Sequence, residues 1–240
     1  MTTAPRYPWP FELLVALRDR SATTAMTAPA DGTVADQLAA LQLHPSLVGF
    51  LSGLYEAAQG ATFFNSRLRL YPIAGDPDRG LPNLAAWNHV DGWQQYQPQK
   101  INHTFFFCSN TFGDQFGIPI DADGAVLHDR LGMLWVERFE YQEAKINWHT
   151  LFPRLADDPA MANFVLRNDE HAWAAGTLGV PLAWQCFSSN VPALLGGPDT
   201  IDNIALQSMP VHVSFTLQVI AEAKRRLEPG AATAMVDLKT

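Results

Sequence analysis

The sequence predicts an α+β protein, and three observations carry that prediction. Apolar residues recur at helical spacing in HPSLVGFLSGLYEAAQG and again in VHVSFTLQVIAEAKRRL, toward the two ends of the chain. Between them lie short apolar runs separated by turn residues (TFFFCS, FGIPID, AVLHD and GMLWVERF), which read as successive antiparallel strands. Finally, 48% hydrophobic and 17% charged residues in 240 describe a chain that buries a substantial core.

Taken in order, residues 1–35 read as an appendage. YPWPFELLVALRDR forms a short helix after Pro10, with Phe11, Leu14 and Leu17 on one face. The small, polar stretch SATTAMTAPADGTVAD then has linker composition. The helix is expected to be a strap docked on its own domain in preference to a motif that docks on a partner.

From Asp36 two helices follow. The second carries Leu47, Phe50, Leu51, Leu54 and Tyr55, with Pro45 in its first turn and Gly60 as its stop. RLRLYPI is a strand and GDPDRGLPN a loop. AAWNHVDGWQQYQP is a helix-like turn bearing Trp87, Trp93 and Tyr96. After the strands, INWHTLFPRLADDPAMANFVLR reads as a helix broken at Pro153. VPALLGGPDTIDN reads as a loop before a final helix that ends in basic residues and Gly230.

The stretch FFFCSNTFGDQFGIPIDADGAV tests whether acidic and glycine residues here make a ligand loop. Asp121, Asp123 and Gly124 lack the spacing and the closing glutamate that converge oxygens on calcium. Asp123-Gly124 is instead a hairpin signal, and Gly113-Asp114 turns the chain between two strands. FGDQFG lacks the lysine and following helix of a phosphate cradle.

The seven histidines form no HxH or HExxH pattern and no cluster with cysteine, so no metal ligands are assigned. Cys108 and Cys186 make no CxxC pair. Cys108 follows three phenylalanines, where a thiol is packed and inert. Glu137, Glu140 and Glu143 are interleaved with Arg138 and Lys145, as on a solvated strand edge. No GxSxG or GxGxxG motif occurs, so no catalytic or cofactor-binding residue is assigned.

Two cysteines are too few for a disulfide framework, which favours the cytosol. Glu12 interrupts the apolar run near the start and Arg18, Asp19 and Arg20 follow it, which argues against a secretion signal. No stretch approaches the roughly 20 apolar residues of a membrane span. A net charge of −8 repels nucleic acid and anionic membrane and attracts a basic partner.

Residues of about 36–165 resemble the SUKH superfamily of Smi/Knr-like domains. The resemblance rests on the helix HPSLVGFLSGLYEAAQGATF, the strand LRLYPI and the tryptophan-bearing WNHVDGWQQY. It continues through the turn FFFCSNTFGDQFGI, the DG-turned pair PIDADGAVLHD and the aromatic-led helix WHTLFPRL.

That likeness implies helices packed on a mixed, largely antiparallel, curved sheet, with residues 166–240 as a C-terminal extension. It implies binding without catalysis or cofactor, in the manner of bacterial immunity proteins that neutralise a toxin. Trp93, Tyr96, Asp114 and Gln115 match the motif-bearing region and are the candidate partner-binding residues, at a groove or its rim. Two rivals stand beside it: a small-molecule-binding or accessory protein of a biosynthetic pathway with a tryptophan-lined pocket, and a regulatory scaffold docking through YPWPFELLVAL.

Overall fold

A computed structural model describes residues 7–18, 33–96 and 103–227. Most of the linker stretch, and Gly230 at the end of the final helix, lie outside these residues. The fold is α+β: eight α-helices accompany a six-stranded and a two-stranded sheet among the described residues.

Three helices open the chain: α1 (Phe11–Leu17), α2 (Val34–Ala40) and α3 (Pro45–Ala58). Thr33 and Asp36 close a reciprocal capping box at the start of α2. Pro45 occupies the first turn of α3, and Gly60 follows its end at φ 60°. The large sheet is a meander in which each strand pairs antiparallel with its sequence neighbour. Its strands are β1 (Thr62–Phe63), β2 (Leu68–Leu70), β3 (Thr104–Asn110), β4 (Gln115–Pro119), β5 (Leu131–Trp135) and β6 (Glu140–Ala144). Between β2 and β3 come α4 (Leu84–Trp87) and a 3₁₀ turn, Trp93–Tyr96.

Two sequence readings need correcting here. AVLHD is not a strand: only an isolated Ile120–Val126 bridge forms, because β4 already pairs with β5 through Gln115–Leu134 and its neighbours. The DADG turn is present, and Asp121 Oδ1 accepts the N–H groups of Asp123 and Ala125. The helix after Ile146 does not break at Pro153. It continues as α5 (Trp148–Asp157) through Pro153, the sixth of its ten residues, which forgoes one intrahelical bond without ending the helix. The break falls at Asp158, whose Oδ1 accepts from Ala160 N and Met161 N and caps α6 (Pro159–Leu166).

The C-terminal segment adds α7 (Asn168–Leu178), then the antiparallel pair β7 (Gln185–Ser189) and β8 (Ile204–Ser208), and finally α8 (Met209–Leu227). One hydrophobic cluster runs from Tyr7, Trp9 and Leu14 through the sheet to Met209, Val213, Leu217 and Ile220. Segment 7–18 is seated by Trp9, whose Nε1 donates to Phe50 O at 2.5 Å and whose ring meets those of Tyr7, Phe50, Trp148 and Phe152. At the other end, the buried Arg69 on β2 donates to the carbonyls of Gln185 and Pro181, tying the smaller sheet to the larger. A second small cluster, Phe112, Ala174 and Phe187, joins the β3–β4 turn to α7 and β7. Phe112 and Phe187 of this cluster line a cleft at that junction.

Candidate functional site

Where the β3–β4 turn, the β5–β6 turn, α7, β7 and the loop after β7 meet, they enclose a cleft of about 620 Å³. Its floor is aromatic, from Phe112 and Phe187, and its rim includes Trp173, which is 43% exposed. Five carboxylates line it, those of Asp114, Glu137, Asp169, Glu170 and Asp199, against the two guanidiniums of Arg138 and Arg167.

Asp114 is placed by its own turn. Gly113 takes φ 77°, and a Cβ there would fall 2.6 Å from His212 Cδ2, so the turn admits only glycine. Asn110 then braces it: its Oδ1 accepts from Asp114 N and its Nδ2 donates to Asp114 Oδ2 at 2.9 Å. Val136 N donates to Asp114 Oδ1, and Arg167 Nη1 lies 3.4 Å from Asp114 Oδ2.

Arg167 sits in left-handed backbone geometry between α6 and α7, and its guanidinium lies 3.8 Å above the Phe112 ring. It also pairs with Glu170. Burial pushes the Asp114 carboxyl up, against the pull of Arg167, Asn110 and Val136 N–H. Burial opposes the charge on Arg167 too, yet Asp114 and Glu170 outweigh it and raise its pKa. The pair therefore serves the guanidinium better than the carboxylate, since the Asp114 side chain is 2% exposed and that of Arg167 20%.

Glu137 is not on a solvated edge as its neighbours suggested. Its two oxygens accept from Ser189 N and Ser189 Oγ, each at 2.7 Å, and so join the β5–β6 turn to β7. Glu143, by contrast, stays on the open face of β6, paired with Arg130. Asn203 fixes the far wall by bonding both the N–H and the carbonyl of Val191 and the carbonyl of Pro198.

Behind Gly113, His212 is buried: its Nδ1 lies 2.7 Å from Ser188 Oγ and 3.2 Å from Thr216 Oγ1, and its Nε2 has no hydrogen-bond partner among the described residues. Burial pushes its pKa down to about 4, against the raising influence of Asp114. The native state thus holds a neutral imidazole that the unfolded chain protonates below about pH 6.5. The stability this contributes is present above pH 6.5 and is lost as pH falls from there toward 4, up to about 3 kcal/mol. Urea midpoints measured across that window should fall with pH, and His212→Gln should lessen the slope, the remainder belonging in part to His171, whose pKa burial also pushes down to about 4. An unchanged slope in the variant would remove His212 as its source.

The four residues singled out from sequence are distributed differently. Asp114 lines the cleft. Gln115, its neighbour, turns inward, where its Oε1 accepts from Tyr71 OH and Trp87 Nε1 and its Nε2 donates to Gly113 O. Trp93 is buried against Trp87 and Phe106 rather than set on a rim, because the Trp93–Tyr96 turn packs on α8. Tyr96 is half-buried against the same core. Trp93 and Gln115 are thus brought together through Trp87, and Asp114 stands apart from them.

The cleft residues Arg167, Trp173 and Asp199 had no motif to mark them. The acidic residues of NDE, which open α7 directly after Arg167, are the one sequence signal that could have marked that corner. Both thiols are buried, and burial pushes each well up, so neither is placed to attack a substrate. Among the described residues no group of three or more histidine, cysteine or carboxylate side chains could hold a metal ion. No described helix is long and apolar enough to cross a membrane.

No family model matches the chain, and no curated protein matches it. Among solved structures the chain is similar to the crystal structure of Atu4351 from Agrobacterium tumefaciens. The similarity is at 11% sequence identity and a TM-score of 0.47, covering 78% of this chain and 80% of that one.

Proposed function

We propose that this chain is a non-enzymatic protein-binding module of the cytosol and that the cleft beside Arg167 receives its partner. The supporting observation is the cleft itself: open, aromatic-floored, rimmed by a half-exposed tryptophan, and richer in carboxylates than in guanidiniums. The form of binding we favour is that of the SUKH resemblance, a bacterial immunity-type protein that covers the working surface of a basic toxin. The net charge of −8 favours encounter with such a partner.

The volume of the cleft also falls within the range of about 300–1,000 Å³ typical of small-molecule sites, which keeps that second reading in view. Gentle isolation of the tagged protein from its own host, followed by native mass spectrometry, separates the two. A basic protein bound at fixed stoichiometry supports the module reading, and its association rate should fall steeply as salt is raised. A bound small mass with no protein partner favours the pocket reading. An association rate indifferent to salt would count against electrostatic steering.

A further inference from the structure

We propose that the cleft and the apolar ridge beside it form one docking surface for a basic, amphipathic segment of the partner. This rests on the binding reading above and adds the chemistry of what is bound. Arg167 pairs with both Asp114 and Glu170 within the cleft and offsets one of their two charges, and Ser189 occupies both oxygens of Glu137. Asp169 and Asp199 remain exposed at the rim, with no cationic partner among the described residues. The other guanidinium of the cleft, Arg138, lies 5.8 Å over the Trp135 ring. The charge left over is negative, and Trp173 offers a ring face beside it on which a cation is attracted.

The ridge continues from the cleft wall. Ala193 lines the cleft and opens the 3₁₀ turn Ala193–Leu195, which packs against α8. Leu194 and Leu195 are exposed, and on α8 Val211 and Phe215, one turn apart, are 59% and 60% exposed. A surface with exposed carboxylates on the cleft rim and exposed large apolar side chains on the adjoining turn and helix matches a segment carrying arginine or lysine beside leucine-like residues. A second copy of this chain would bring carboxylates against carboxylates, and nucleic acid would bring phosphates, so charge disfavours both.

The test uses the full chain and three labelled short peptides, of alternating leucine and arginine, leucine and citrulline, and leucine and glutamate, followed by fluorescence anisotropy. The arginine peptide should bind about tenfold tighter than the citrulline peptide at low salt, and the gap should close at high salt. D169N/D199N should abolish that preference. D123N/E140Q, which changes net charge equally but touches the DADG turn and β6, should keep it. Phe215→Ser should weaken the arginine and citrulline peptides alike, with the thermal midpoint of every variant confirming the fold.

Equal binding of all three peptides, or equal loss in both double variants, would overturn the surface. So would a captured protein partner whose cross-links fall on β6: the chain would then still be a protein-binding module, but with its partner at a surface other than the cleft.

Discussion

Replacing Arg167 with methionine is expected to destabilise the protein by about 3 kcal/mol, toward the lower end of the 3–5 kcal/mol typical when one member of a buried ion pair is removed. The reason is Asp114. With its side chain 2% exposed, its carboxylate depends on Arg167, Asn110 Nδ2 and Val136 N–H in place of water. Methionine keeps much of the contact with Phe112 but leaves a buried charge that only two neutral donors serve. The lower end of the range applies because the Arg167 side chain is itself 20% exposed and partly solvated.

Urea unfolding would measure the loss, and adding Asp114→Asn to the variant should recover part of it by removing the stranded charge. If Arg167→Met unfolds at the wild-type midpoint, the pair does not hold the cleft floor together.

Trp9→Ala is expected to cost about 3–5 kcal/mol, as truncation of a buried tryptophan generally does. Trp9 is buried, donates to Phe50 O, and contacts four rings from segment 7–18, α3 and α5. Two residues away, Phe11 is 45% exposed, and Phe11→Ala should fall within about 0.5 kcal/mol of wild type. The contrast bears on the sequence reading of this segment as a strap on its own domain. Comparable, small effects of the two substitutions would mean that residues 7–18 add little to the core they touch, and would revive the scaffold reading in which this segment docks elsewhere.

The fold was legible in the sequence wherever the hydrophobic period was strong. Leu47, Phe50, Leu51 and Leu54 place α3, and the phenylalanines of TFFFCS place β3. Element type failed where pairing competed. AVLHD has strand composition, but the edge of β4 is taken by β5, and composition does not record which edge is free. Pro153 misled for another reason: in mid-helix it costs α5 one backbone bond, which packing of Trp148, Leu151, Phe152 and Leu155 in the core outweighs, and the capping aspartate five residues later was the stronger boundary signal. The strand QCFSS is short and half polar, and its pairing with β8 closes across a loop that gives no hairpin signature.

The cleft was legible only at Asp114. Trp93 and Gln115 carry groups that recognition sites often use, but exposure decides whether they are used so, and exposure follows from packing on Trp87 and α8. Arg167, Trp173 and Asp199 come from the C-terminal segment, far along the chain from Asp114. Their convergence follows from the way β7 bonds to the β3–β4 turn, where Phe187 N donates to Thr111 O. Sequence periodicity has no access to a contact of that separation.

Whether a protein partner sits at the cleft is decided by hydrogen–deuterium exchange of the chain with and without its captured partner. New protection is expected across residues 167–175 and 193–204, with β6 and α1 exchanging as before. Protection confined to β6 or α1, with the cleft segments unchanged, would contradict a partner at the cleft.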